Sequence, residues 1–107
     1  MLAVTATDIH NNPYSLANRG AYVAVAAPGV DVIALAPGGM VRLTSGTSIA
    51  TAEASGVAAL VIERDRKTSP EDMRRILRDT AFKLDVDPTI GGAGLIDALA
   101  ALKAVPE

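Results

Sequence analysis

Apolar residues in the first half of the chain come in short blocks that polar and turn-forming residues separate. Four blocks have the length of a strand: 2–7, 22–26, 30–36 and 40–44. The segment 10–20 is rich in Asn, Pro, Ser and Gly, and Pro28-Gly29 and Pro37-Gly38-Gly39 are typical of turns. The pattern predicts four short strands joined by loops.

The second half has the spacing of helices. Ala50, Ala54, Val57 and Val61 repeat at helical intervals, which predicts a helix over 47–64. Ser69-Pro70 followed by two carboxylates predicts a second helix start, with apolar residues on one face and Arg74, Arg75 and Arg78 on a solvated face. Leu95, Ala98, Leu99 and Leu102 predict a third helix after a flexible glycine-rich segment. The sequence therefore predicts an α/β chain of short strands followed by three helices.

Small residues along the first helix predict close packing. Ala50, Ala54, Ser55 and Gly56 leave room for neighbouring elements to approach, as around a central helix. A glycine inside an exposed helix costs about 1 kcal/mol relative to alanine. We therefore expect another element to pack closely against Gly56.

Composition excludes several classes of function. The chain has 107 residues, half of them apolar, which is enough for one domain with a core. A net charge of −2 and three aromatic residues provide neither a basic stripe nor a stacking platform, so we expect no nucleic-acid partner. No apolar run has the length that a bilayer requires, and the start of the chain does not resemble a signal peptide. Without cysteine there are no disulfides or thiolate metal sites, which leaves the compartment undecided.

The strongest candidate for a catalytic residue lies at the junction between the last predicted strand and the first predicted helix. In Gly46-Thr47-Ser48-Ile49-Ala50 a serine stands on a tight turn just before helical spacing begins. Unpaired N–H groups and the helix dipole at such a place favour negative charge, so the turn is suited to a nucleophile and an oxyanion. Ser and Thr are also preferred helix caps, and from these residues alone capping is the more common explanation of Ser48 or Thr47.

Several segments together resemble the subtilisin-like serine proteases. Gly46-Thr47-Ser48-Ile49-Ala50 resembles the family's Gly-Thr-Ser-Met-Ala nucleophile motif. Further segments resemble the family in the same order along the chain: 2–8, the Ala-Pro-Gly segment 22–29, 56–60 and 92–98. The resemblance implies the C-terminal part of a subtilisin-like parallel-sheet catalytic domain over residues 1–107.

This resemblance implies specific roles. Ser48 is the expected nucleophile. Five residues are expected to border a peptide substrate: Leu16, Thr44, Ser45, Gly46 and Thr47. The family carries its triad in the order Asp, His, Ser, and this chain enters the pattern after the Asp and the His. His10 is the only histidine, and we interpret it as a solvated turn residue, because a general base needs hydrogen-bond reach to Ser48 and an orienting carboxylate.

The motif also departs from its relatives. Ala52 stands where most relatives have a proline, and Glu53 where they have a histidine that is not the triad base. A carboxylate near a helix start is favourable, so we expect Glu53 to be stabilised there. These changes leave open a member that has lost full activity.

No metal or cofactor is predicted for the chain, although a full-length relative is expected to be able to bind calcium. Asp85 and Asp87 offer two carboxylates, but Ca²⁺ requires six or more oxygen ligands. A turn with Asp before Pro explains these residues more simply.

Two functions follow from the sequence. In the first, the chain belongs to a serine endopeptidase whose base and orienting Asp lie outside it, in a longer precursor or a second chain. In the second, it is a non-catalytic remnant that acts as a self-associating or binding module through exposed edges and apolar faces. The first predicts hydrolysis only with a supplied N-terminal portion, and the second predicts a stable oligomer without hydrolysis.

Overall fold

The computed structural model of the protein describes residues 2–15, 17 and 19–105. Four strands come first: β1 (Ala3–Thr7), β2 (Val23–Pro28), β3 (Val32–Ala36) and β4 (Met40–Thr44). Four helices follow: α1 (Thr47–Arg64), α2 (Pro70–Asp79), α3 (Pro88–Gly91) and α4 (Ala98–Lys103). Strands followed by helices are the α/β arrangement that the sequence predicts. Within the described residues, no helix combines the length and apolar character that crossing a membrane requires.

The core lies between one face of a parallel strand pair and the helices. β1 and β2 run parallel, with Val4 opposite Val25. The buried cluster beneath them joins a strand residue to helical and C-terminal residues: Val25, Val61, Leu77, Ala101 and Val105. A second cluster of Ala6, Ala27 and Ala50 lies under the start of α1. Because these three side chains are single methyl groups, α1 approaches the strands closely at this end.

β3 and β4 form a separate antiparallel ribbon. Ile33 lies opposite Leu43, and Leu35 lies opposite Val41. Side chains directly opposite each other share a face, so these four aliphatic residues form one continuous apolar surface. All four are 62–89% exposed. We call this surface, defined by Ile33, Leu35, Val41 and Leu43, the ribbon face.

The structure corrects the predicted last helix. Leu95 exchanges backbone hydrogen bonds with Phe82 at 2.8 and 2.7 Å, and the Ile96 N–H donates to the Ala26 carbonyl at 2.8 Å. These strand-like bonds keep residues 95–96 out of a helix. The Asp97 side chain then accepts from the Ala100 N–H at 3.0 Å, and α4 begins at Ala98.

A fourth, one-turn helix was not predicted. Asp87 was interpreted as a turn residue before a proline, and its carboxylate caps α3 by accepting from the Thr89 N–H at 2.8 Å. The Thr89 hydroxyl and backbone bonds lower the pKa of Asp87. In the described part of the chain, no three His, Asp or Glu side chains gather as a metal site would require.

Two expectations about helix surfaces are wrong. Gly56 is exposed, and a Cβ added there would meet nothing within 4 Å, so none of the described elements packs against it. Arg74 and Arg75 are exposed as expected, and Arg75 pairs with Asp72 at 3.0 Å. Arg78 instead is half-buried and donates to the Ala24 carbonyl at 3.1 Å, which ties α2 to β2.

Candidate active site

Ser48 is the second residue of α1 and its side chain is exposed. The buried residues of the helix, Ala50, Ala54 and Val61, lie on the side facing the strands. At 100° per residue, Ser48 lies on the opposite side. Its hydroxyl is therefore presented to the outside, as a nucleophile requires, and is not sealed in the core.

Two glycines, Gly29 and Gly46, position the turn before Ser48. The Gly46 N–H donates to the Gly29 carbonyl at 2.7 Å. A Cβ on Gly29 would lie 2.6 Å from the Ala6 Cβ and 2.7 Å from the Gly46 carbonyl oxygen, so no larger residue fits there. Gly46 has a φ of 149°, which side chains disfavour. The close contact between these glycines fixes the distance between the turn and the strands β1 and β2.

The backbone at the start of α1 offers hydrogen-bond donors. The Ile49 and Ala50 N–H groups donate to the Gly46 carbonyl at 3.2 and 3.4 Å. The N–H groups of Thr47 and Ser48 have no partner within the described residues. No side chain caps this helix, because Gly46 holds the N-cap position. The capping interpretation of Ser48 and Thr47 is therefore wrong, and two free donors lie beside the Ser48 hydroxyl.

The other predicted substrate-bordering residues have different environments. Thr44 ends β4 opposite Val32, and Thr47 begins α1 and accepts the Thr51 hydroxyl on its carbonyl at 2.8 Å. Ser45 accepts from the Asp31 N–H on its hydroxyl at 2.8 Å, which joins the turn to the segment before β3. Leu16 lies outside the described residues. Residues 44–48 thus run from the end of β4 through a two-residue connection into the first turn of α1.

His10 lies in an exposed turn at the end of β1. Its N–H and that of Asn12 donate to the Asp8 carboxylate at 2.8 and 2.9 Å. The backbone bond from Asn12, and then that from His10, lower the pKa of Asp8. Within the described residues, no hydrogen bond joins His10 to Ser48. This arrangement matches the interpretation of His10 as a turn residue.

The environment of Glu53 differs from the predicted one. It is the seventh residue of α1, beyond the first turn where the helix dipole acts, and the first turn contains no acidic residue. Partial burial instead raises the pKa of the Glu53 carboxyl. The position is therefore mildly unfavourable for a charge, and the expected stabilisation by the helix start is wrong.

Sequence reasoning missed two residues that position the site. Gly29 was assigned to a turn, and its contact with Gly46 depends on the fold. Asp31 has a φ of 52°, and this backbone conformation aims its N–H at Ser45. Asn and Asp tolerate such a conformation better than most residues, and that preference was the only available sequence signal.

Comparisons with known proteins agree on one family. Residues 1–99 match the model of the subtilase family, a family of serine peptidases. M-protease of Shouchella clausii (strain KSM-K16) is 39% identical over 102 residues, covering 95% of this chain and 27% of that protein. Subtilisin Savinase of Lederbergia lenta is 38% identical over 102 residues, covering 95% of this chain and 38% of that protein.

A solved structure shows the same similarity in three dimensions. A protease from Pseudoalteromonas arctica PAMC 21717 superposes with a TM-score of 0.91 at 25% identity, covering 99% of this chain and 36% of that one. The chain thus spans between 27% and 38% of these three relatives.

Proposed function

Since this chain belongs to the subtilase family of serine proteases, we propose that it is the nucleophile-bearing C-terminal part of an endopeptidase catalytic domain. Ser48 attacks the carbonyl carbon of a peptide bond. The observation that carries this proposal is the exposed Ser48 at the start of α1, where the Thr47 and Ser48 N–H groups have no hydrogen-bond partner among the residues that the structure describes. An oxyanion formed in the attack is stabilised by such donors.

The proposed reaction needs a general base and an orienting carboxylate, and the described residues bring neither to Ser48. A serine hydroxyl is a weak nucleophile until a base removes its proton. His10 is held in its own turn with Asp8, and makes no hydrogen bond to Ser48 within the described residues. The general base and its orienting carboxylate therefore come from the part of the catalytic domain that precedes this region, consistent with the fraction of its relatives that the chain spans.

The remaining site residues have supporting roles in this proposal. The backbone of Ser45, Gly46 and Thr47 borders the peptide substrate, and Thr44 and Leu16 flank it. The Ser48 N–H contributes to the oxyanion hole. The external base takes the Ser48 proton as the hydroxyl adds to the carbonyl carbon and gives it to the leaving amine as the C–N bond breaks. Water, activated by the same base, then releases the acyl group from Ser48.

A fluorophosphonate probe tests the need for an external base. We expect no adduct on Ser48 in the isolated chain and no cleavage of peptide substrates. Joining the preceding part of Subtilisin Savinase ahead of Ala3 in one polypeptide is expected to produce labelling, and Ser48→Ala removes it, whereas Ser55→Ala keeps it. Labelling of the isolated chain at Ser48 would show that a base is already present.

A second candidate function is a self-associating, non-catalytic module. The ribbon face favours it, because four neighbouring aliphatic side chains in water are typical of interaction surfaces. Light scattering after size exclusion separates the two candidates. A stable oligomer that Leu35→Thr with Val41→Thr dissociates supports the module, and a monomer at all concentrations rejects it.

A further inference from the structure

A cavity of about 540 Å³ lies where α2 ends and the chain continues towards α3. One wall comes from the end of α2 and the residues after it, and the other comes from the segment 92–94. Three charged side chains line the cavity: Arg78, Asp79 and Lys83. Its described lining includes no residue of the segment 44–48. The volume lies within the range of about 300–1,000 Å³ that is typical of small-molecule sites.

Arg78 brings a positive charge to this cavity without a carboxylate partner. Its side chain is half-buried, and one guanidinium N–H group donates to the Ala24 carbonyl at 3.1 Å. A guanidinium group has five N–H donors, so most of them remain for a ligand. Among the described residues, no carboxylate lies within ion-pair distance of Arg78. Charged groups that are removed from water are usually paired, so this position favours an anion.

The bond to Ala24 fixes the position of the guanidinium group. The Ala24 carbonyl also accepts from the Ala93 N–H at 2.8 Å, so α2, β2 and the segment 92–94 meet at one oxygen atom. A Cβ on Gly92 would lie 2.5 Å from the same carbonyl oxygen, which shows how closely this segment packs on the strand. The remaining donors of Arg78 are therefore held by packed elements, and such preorganisation lowers the cost of binding a ligand.

Lys83 supplies a second positive charge at the same cavity. It is exposed, and it makes no ion pair within the part of the chain that the structure describes. The ammonium group of a lysine acts as a point charge on a flexible stem, whereas a planar guanidinium group can bind a carboxylate through two parallel N–H bonds. The two cations therefore suit a carboxylate that Arg78 orients and Lys83 attracts.

Asp79 restricts the charge that the ligand can carry. Its carboxylate lines the cavity, and the end of α2 adds the partial negative charge of a helix C-terminus. These groups repel a sulfate or phosphate with two negative charges more strongly than they repel a single carboxylate. The Asp79 carboxylate is also an acceptor for an N–H group of the ligand. The cavity thus fits a carboxylate that has an amide or ammonium N–H group close to it.

We propose that this cavity binds the α-carboxylate of an amino acid or of a peptide C-terminus, with Arg78 and Lys83 on the carboxylate and Asp79 on the neighbouring N–H group. In both ligands a nitrogen is attached to the carbon that carries the carboxylate, which matches a cavity with two cations and one acid. The volume of about 540 Å³ exceeds that of the carboxylate alone and leaves room for the adjoining residue. This inference goes beyond the proposed function and does not depend on catalysis by Ser48.

Titration of the 107-residue chain, followed by NMR of its backbone amides, tests the proposal. The probes are N-acetyl-dialanine, its C-terminal amide, dialanine and sodium sulfate. We expect saturable binding of both acids, and an affinity about tenfold or more lower for the amide, because it cannot form the charge-assisted bonds. Amide signals of residues 81–84 and 92–94 should shift, and those of 45–48 should not. Tighter binding of dialanine indicates a free amino acid or short peptide as ligand, and equal or tighter binding of N-acetyl-dialanine indicates the C-terminus of a longer chain.

Two lysine substitutions provide a matched pair. Lys83 and Lys103 are both exposed, and Lys83 lines the cavity whereas Lys103 lies on α4. We expect Lys83→Gln to weaken the binding of N-acetyl-dialanine about threefold or more, and Lys103→Gln to change it less than about 1.5-fold. Arg78→Gln should weaken it about tenfold or more. Because Arg78 also ties α2 to β2, circular dichroism checks the folding of that variant, and the lysine pair tests the site independently of it.

Four results would overturn the proposal. They are equal affinity for the acid and its amide, tighter binding of sulfate than of either acid, equal effects of the two lysine substitutions, and signal shifts at residues 45–48 in place of 81–84 and 92–94. Absence of saturable binding of both acids overturns it as well. Preference for the acids with a selective loss in Lys83→Gln supports it.

Discussion

The parallel pair β1–β2 and the antiparallel ribbon β3–β4 are built from similarly apolar sequence, yet they have opposite environments. β2 consists of Val, Ala and a final Pro, and its first five residues are buried. The ribbon carries Ile33, Leu35, Val41 and Leu43, which are larger and exposed. Small residues are buried where α1 packs closely on the strands, and large ones remain outside where the described part of this chain provides no covering layer. Local hydrophobicity therefore does not decide burial in this molecule.

The two strand pairs also contribute differently to the position of Ser48. The buried pair and its alanine cluster fix the distance between the strands and the turn that carries Ser48. The ribbon leads into the same turn through Thr44, and the Asp31–Ser45 bond at 2.8 Å closes the base of the ribbon. The Gly46 N–H, which donates to the Gly29 carbonyl at 2.7 Å, connects this turn to the segment after β2. We expect the position of Ser48 to depend on the buried pair, and the ribbon to tolerate changes.

Truncating one leucine in each environment provides the largest contrast. Leu77 is 1% exposed in the main core, and Leu35 is 89% exposed on the ribbon face. We expect Leu77→Ala to lower the free energy of unfolding by about 2–5 kcal/mol because it leaves a cavity. Leu35→Ala should change it by less than about 0.5 kcal/mol. Urea denaturation followed by circular dichroism measures both, and similar losses would show that the ribbon face is covered in solution.

Two glycine substitutions compare a crowded buried backbone position with an open position on α1. Gly29→Ala places a methyl group 2.6 Å from the Ala6 Cβ, and we expect a loss of about 1–3 kcal/mol from overpacking. Gly56→Ala adds a methyl group in open space within a helix, and should raise the free energy of unfolding by about 0.5–1 kcal/mol. Thermal unfolding of both variants tests the pair. Destabilisation by Gly56→Ala would mean that a second element packs on α1 after all.

The smallest expected effect is a pH dependence at Glu53. Burial raises the pKa of this carboxyl in the folded chain above its ordinary value, so the folded state binds the proton more tightly than the unfolded state does. The free energy of unfolding therefore falls as pH rises from the ordinary pKa through the raised one. Glu53→Gln should remove this slope and raise stability at pH 7 by less than about 0.5 kcal/mol, because the group is largely solvated.

The exposed Glu63 on the same helix is the control for Glu53. Unfolding titrations from the ordinary carboxyl pKa up to neutral pH should show the wild-type slope retained in Glu63→Gln. An unchanged slope in Glu53→Gln would contradict the assigned cause.

The sequence by itself determined the elements whose signals are local. The bounds of α1, Thr47–Arg64, and of β4, Met40–Thr44, agree with the structure because helical spacing and turn residues mark them directly. Ser69 caps α2 by accepting from the Asp72 N–H at 3.0 Å, as the Ser-Pro start signal predicts. The family was also readable, since its motifs are contiguous stretches.

Tertiary structure alone decided the features that join distant residues. Leu95 has the spacing of a helix, but its hydrogen bonds with Phe82 placed it in a strand-like pairing. The Gly29–Gly46 contact that supports the turn before Ser48 likewise joins groups that no local pattern connects. The backbone groups of turns and helix caps find their hydrogen-bond partners among neighbours in sequence. Burial and strand pairing depend instead on which residues distant in sequence pack against each side chain and backbone group.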